Sequence, residues 1–80
     1  MNQGDWNRQA AKLIKAELAR AGVGYQGLAG LLRTIGVDES YKGLASKINR
    51  GTFSFAFLMQ CMAALDVNTV RLSEQSKEER

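Results

Sequence analysis

Glycine alone separates the regular segments of this chain, because the sequence contains eight glycines and no proline. Gly22, Gly24, Gly36 and Gly51 divide it into four helix-sized segments, most of which repeat apolar residues every three or four positions. That spacing is typical of the buried face of an amphipathic α-helix. With 80 residues the chain makes one small domain. The sequence therefore predicts an all-α, compact four-helix fold.

The predicted helices begin and end at residues with capping character. Asp5 is the predicted N-cap of the first helix and Gly22 its C-cap, Asp38 begins the third, and Thr52 or Ser54 begins the fourth. The four helices are expected to span about residues 5–21, 25–35, 38–50 and 52–65.

The first and second predicted helices each contain residues that are unusual at their positions, a glutamate on the apolar side of the first and two glycines inside the second. The predicted apolar side of the first helix is formed by Trp6, Ala10, Leu13, Ile14, Leu18 and Ala21. Glu17 falls inside that arc, so it needs an arginine partner, Arg33 or Arg50, or else a path to water. Gly27 and Gly30 in the second helix predict a close approach, more plausibly by another helix than by a phosphate backbone.

The fourth helix is apolar on nearly every side, since eleven of the 13 residues from 53 to 65 are apolar. Such a helix must be covered almost completely, and a short chain cannot do this alone. A homodimer is therefore predicted, with residues 67–72 as a short C-terminal extended arm or strand and 73–80 as a polar, disordered tail. The expected dimer interface comprises Phe55, Leu58, Met59, Met62, Val70 and Leu72.

Several functions are excluded by residues that the chain lacks. It has one cysteine and no histidine, so Cys/His zinc clusters and Ser-His or Cys-His catalysis are ruled out, and we expect neither an enzyme nor a cofactor. Residues 22–27 match the dinucleotide pattern G-x-G-x-x-G, but a helix rather than a strand precedes them, so we interpret them as a connector. No apolar stretch reaches membrane-spanning length, and a cytoplasmic location is expected.

Charge supplies the functional signal. Residues 1–72 hold nine Lys and Arg against five Asp and Glu, and residues 40–51 contain three basic residues and no acidic one. Side chains of the types needed to read a DNA major groove lie on about one arc of the third helix: Lys42, Ser46, Lys47 and Asn49. Residues suited to phosphate contacts are Arg50, Arg33, Gln26, Lys12 and Arg8. On charge alone, an ordinary solvated helix face accounts for these residues slightly better.

Short segments of the chain resemble known proteins. Residues 25–29 and 46–51 are similar to the start of the second helix and the end of the recognition helix in repressor/Cro-like (lambda-repressor-like) helix-turn-helix proteins. The chain from about 6 to 72 also resembles a short bacterial family of unknown function that shares Trp6, Lys47-Ile48 and residues 50–53. The resemblance implies a helix-turn-helix domain, although the segment from Ala29 to Gly51 is about six residues longer than usual.

These observations lead to two alternative functions. The first is a sequence-specific transcriptional regulator that binds double-stranded DNA as a homodimer, with residues 38–50 as its major-groove recognition helix. The second is a protein-interaction or self-assembly module that binds no nucleic acid.

Overall fold

The computed structural model describes residues 1–72 and confirms an all-α fold of four helices. The predicted tail, 73–80, lies outside the described residues. The helices are α1 Gln3–Ala21, α2 Tyr25–Thr34, α3 Tyr41–Arg50 and α4 Phe55–Ala64.

Side-chain caps set the start of three helices, and two of these starts differ from the prediction. The Asn2 side chain accepts a hydrogen bond from the Asp5 N–H (2.9 Å), and the Asp5 carboxylate accepts one from the Asn2 N–H (3.1 Å). This reciprocal capping box makes Asn2, not Asp5, the N-cap of α1. The third helix begins at Tyr41 rather than near Asp38, because the Ser40 hydroxyl caps it. Ser54, one of the two predicted residues, caps α4.

The helices enclose one core in which α3 packs against α1 and α2, and α2 packs against α4. Six side chains are fully buried in this core: Ile14, Leu28, Leu32, Leu44, Ile48 and Cys61. The predicted inward residues of α2 and α3 are therefore largely confirmed. Ile35 is an exception, because α2 ends at Thr34 and the Ile35 side chain is 46% exposed.

The buried face of α1 is rotated from the predicted one. Ala11, Ile14 and Leu18 are buried, whereas the Trp6 side chain is 58% exposed and Ala21 is also exposed. At about 100° per residue, Trp6 lies roughly 100° around the helix from the centre of that face. The placement of Trp6 in the core was therefore wrong.

Glu17 is buried as its position on the wheel implied, but its partner is a different arginine. The Arg20 guanidinium, one turn along α1, donates to the Glu17 carboxylate at 2.7 Å. The predicted partners, Arg33 and Arg50, both have exposed side chains. A local i,i+3 pair thus satisfies a carboxylate that is only 7% exposed.

The close approach of another helix that was predicted at Gly27 and Gly30 occurs at neither. A β-carbon on Gly27 would meet only the Val23 side chain, at 2.9 Å, and one on Gly30 would enter open space. The true contact is at Gly51, where a β-carbon would overlap the carbonyl oxygen of Asn7. This is where α1 meets the end of α3.

Of the two forms predicted for the segment after α4, an extended arm or a strand, the strand is not formed within the described residues. Residues 67–71 have neither helical nor strand structure, and Val67 and Val70 pack against the core. Among residues 1–72, no helix is both long and apolar enough to cross a membrane.

Candidate nucleic-acid interface and apolar groove

The helix α3 has one side fixed inward and the other exposed. Leu44 and Ile48, one turn apart, are completely buried and set its orientation. The opposite side carries the α3 face, which we define as the four exposed residues Lys42, Ser46, Asn49 and Arg50. At about 100° per residue these four positions fall within an arc of roughly 100°, centred opposite the buried side. The α3 face therefore presents two cations and two hydrogen-bonding side chains together.

Lys47, the fourth predicted base contact, is placed differently. Its ammonium nitrogen donates to the Glu39 carboxylate at 2.8 Å and stands 4.7 Å from the centroid of the Phe57 ring. The Lys47 side chain is 38% exposed and that of Glu39 is 22% exposed. Lys47 is thus held on the flank of α3, between the preceding connector and α4.

The contribution of Glu39 was missed by the sequence reasoning. The predicted bounds of the third helix, about 38–50, put Glu39 inside its first turn. In the structure it precedes the Ser40 cap, where its carboxylate bonds the side chain eight residues later. An acidic residue directly before the N-cap was the only sequence signal for this contact.

The predicted phosphate-binding residues outside α3 are all exposed: Arg8, Lys12, Gln26 and Arg33. The Arg8 guanidinium pairs with the Asp5 carboxylate one turn earlier. Within residues 1–72, Lys12 and Arg33 form no ion pair, and the same is true of Lys42 and Arg50.

Helix packing brings some of these residues toward the α3 face and separates others. The contact of Asn7 with Gly51 places Arg8 and Arg50 beside the same crossing of α1 and α3. Gln26 and Arg33 lie near opposite ends of α2, about 10 Å apart along the helix axis. The two side chains therefore start from points too far apart along α2 to form one cluster.

The thiol of Cys61 is buried near the Glu39–Lys47 pair. Burial, together with the negative charge of Glu39, raises the pKa of Cys61 from 9.0 to about 11, and the positive charge of Lys47 opposes that rise. The thiol is completely shielded from solvent, so Cys61 packs as a small apolar residue.

A second surface, the α4 groove, lies along α4 and the segment that follows it. It encloses about 460 Å³, and its lining includes all six residues that were predicted for the dimer interface: Phe55, Leu58, Met59, Met62, Val70 and Leu72. Three of these side chains are largely exposed, namely Phe55 at 73%, Met59 at 58% and Leu72 at 83%. Met62 is buried beneath them. Among residues 1–72, none of those that line the groove is charged.

The comparisons with known proteins identify a family but no activity. The model of a family described as "Domain of unknown function (DUF6471)" matches residues 6–70, which include all four helices except the first three residues of α1. No curated protein and no solved structure matches the chain.

Proposed function

The chain belongs to the DUF6471 family of domains of unknown function, and for this member we propose a DNA-binding regulator that acts as a homodimer. The observation that carries the proposal is the α3 face. It joins Lys42 and Arg50, neither of which has an ion-pair partner within residues 1–72, to Ser46 and Asn49 on one exposed side of a capped helix.

The residue types on the α3 face suit the major groove. A lysine donates to guanine O6 and N7, an asparagine can pair with adenine, and a serine can contact either. In this proposal Lys42, Ser46 and Asn49 contact bases. Lys47, the remaining predicted base contact, reaches a base only after leaving Glu39 and Phe57.

Phosphate contacts would position the domain on the duplex. Arg50 and Arg8 flank the crossing of α1 and α3, while Lys12, Gln26 and Arg33 extend from the two helices packed against α3. Such contacts make binding strongly dependent on salt, because each neutralised phosphate releases counterions.

In this interpretation, α2 and α3 form a variant of the helix-turn-helix unit. Residues 35–40 connect them, whereas the usual connection has about three or four residues. The longer connector places Ser40 as an independent cap for α3, so that the recognition helix begins without relying on α2.

Dimerisation is assigned to the α4 groove. Its exposed Phe55 and Met59 side chains border an apolar depression on the same face. In a symmetric dimer, the projecting side chains of each copy can therefore fill the depression of the other. The described residues of its lining, up to Leu72, carry no charge that would repel its counterpart at a symmetric contact. A two-fold dimer implies a palindromic DNA site with half-sites about 34 Å apart.

The test is a salt series of binding to random-sequence duplex DNA, measured by fluorescence anisotropy, followed by selection of bound duplexes from a random pool. We expect Arg50→Ala to weaken binding several-fold and to reduce the salt slope by about 0.9, because it removes a phosphate contact. Lys42→Ala should weaken binding and change the selected sequence, because Lys42 is proposed to contact a base. Arg71→Ala is the matched control, because it removes one exposed cation outside the α3 face. Ser46→Ala and Asn49→Ala should change the selected sequence. Equal losses in all three cation variants would contradict the assignment.

The α4 groove also favours the alternative function, a protein-interaction or self-assembly module. The same binding series distinguishes the two proposals. Steep salt dependence supports DNA binding, whereas no binding even at low salt, together with self-association in solution, supports the assembly module.

A further inference from the structure

Three side chains from different parts of the chain meet beside the α3 face, and we call them the Lys47 clamp. Glu39 belongs to the connector before α3, Lys47 to α3 and Phe57 to α4. The Lys47 ammonium is 2.8 Å from the Glu39 carboxylate and 4.7 Å from the Phe57 ring centroid, and both distances are those of direct interactions.

From this arrangement, and resting on the proposed DNA-binding function, we propose that Glu39 limits sequence-independent binding by withholding the Lys47 charge from DNA. Lys47 is then a positioning residue and not a base contact. The cations that remain on the α3 face are Lys42 and Arg50.

The position of Lys47 on the helix supports this role. At about 100° per residue, Lys47 lies roughly 100° from the centre of the α3 face, on the flank of the helix. From there the flexible lysine stem could swing toward a phosphate, and the clamp opposes that movement.

The clamp restrains Lys47 from two sides. Phe57 is only 5% exposed, and its ring packs against Phe53 with centroids 5.6 Å apart, so the surface beneath the ammonium is fixed by the core. Glu39 supplies the opposite charge from the connector. The α3 helix is thereby joined to α4, the helix that carries the groove.

Releasing Lys47 raises affinity without adding sequence information. A free lysine binds phosphates of any sequence, because every duplex offers the same backbone. Contacts from Ser46 and Asn49 depend on the bases, and the clamp does not involve them. Releasing Lys47 therefore strengthens binding to every duplex, random DNA included.

The experiment combines Glu39→Gln, Lys47→Ala and the double variant in one salt series with random-sequence duplex. Glu39→Gln removes the charge and keeps the side-chain shape. We expect it to raise random-DNA affinity several-fold and to steepen the salt slope by about 0.9, while Lys47→Ala leaves the slope unchanged. The double variant should return to the Lys47→Ala slope. Circular dichroism confirms that each variant is folded.

Two outcomes would overturn the proposal. A slope that is shallower by about 0.9 in Lys47→Ala means that Lys47 already contacts phosphate in the wild type. A gain that persists in the double variant means that Glu39 acts by repelling DNA and not by holding Lys47.

Failure of the proposed function has a different signature. It appears as a wild-type protein that binds no duplex even at low salt. In that case, binding by Glu39→Gln alone would still support the clamp, whereas no binding by either protein overturns both proposals.

Discussion

The main chain of Asn7 lies directly against Gly51, so that a β-carbon at Gly51 would overlap the Asn7 carbonyl oxygen. Gly51 is also the C-cap of α3, with a left-handed φ of 69°. One glycine therefore ends the helix that carries the α3 face and lets α1 pack against its end. Both tasks exclude a side chain.

We expect Gly51→Ala to destabilise the fold by at least about 2 kcal/mol, because the left-handed conformation and the overlap each carry a cost. Gly22→Ala is the matched control. Gly22 ends α1 with nearly the same φ, 68°, but a β-carbon there meets nothing within 4 Å. Urea unfolding of both variants measures the difference, which isolates the cost of the overlap. Equal losses of stability in the two variants would mean that α1 moves away from residue 51 with no loss of folding free energy.

Replacing Gly30 is expected to raise the stability of the fold, whereas replacing Gly51 lowers it. It lies inside α2, and a β-carbon there would enter open space. Gly30→Ala should therefore stabilise the protein by about 0.5–1 kcal/mol, since alanine restricts the unfolded chain and favours the helix. Thermal unfolding would show a higher Tm. A lower Tm would indicate that Gly30 has a contact in a dimer or complex, which the single chain does not contain.

The buried thiol of Cys61 should make the free energy of unfolding decrease as the pH rises into the alkaline range. The pKa of Cys61 is raised from 9.0 to about 11, so the folded state keeps its proton where the unfolded state loses it. The stabilisation is complete below about pH 9 and declines as the pH rises toward 11. Urea unfolding across this range should show a shallower decline for Cys61→Ala than for the wild type. Groups that titrate in both proteins cancel in the comparison, and parallel curves would contradict the shift.

The α4 groove gives a prediction about self-association. Met59→Glu places a charge among apolar side chains at the predicted interface and should convert a dimer to a monomer. Trp6→Glu is the control, because Trp6 is exposed to the same extent, 58%, but does not line the groove. Light scattering over a concentration series measures the mass of each variant. If Trp6→Glu lost the dimer and Met59→Glu did not, the interface would have to be assigned to α1 and not to the α4 groove.

Much of the fold could be predicted from local sequence. The apolar spacing located all four helices, and Gly22 and Gly51 were recognised as the residues that end two of them. The predicted helix starts were less accurate, because Asp5 and Asp38 are plausible caps by residue type. Which capping side chain meets a free N–H depends on backbone conformation, and Asn2 and Ser40 satisfied that requirement instead.

The candidate site was predicted only in part. The outward orientation of Lys42, Ser46, Asn49 and Arg50 follows from the period of one helix, and their exposure agrees with it. The same period could not identify the contacts of Lys47, because Glu39 and Phe57 belong to other segments.

By itself, the sequence determined the number of helices, the apolar character of α4 and the cationic side of α3, since each depends on neighbours within one helix. The tertiary structure alone decided which face of α1 is buried, where two backbones touch and which lysine pairs with Glu39. Those features depend on how separate helices meet, and a pattern confined to one helix contains no information about its rotation against another.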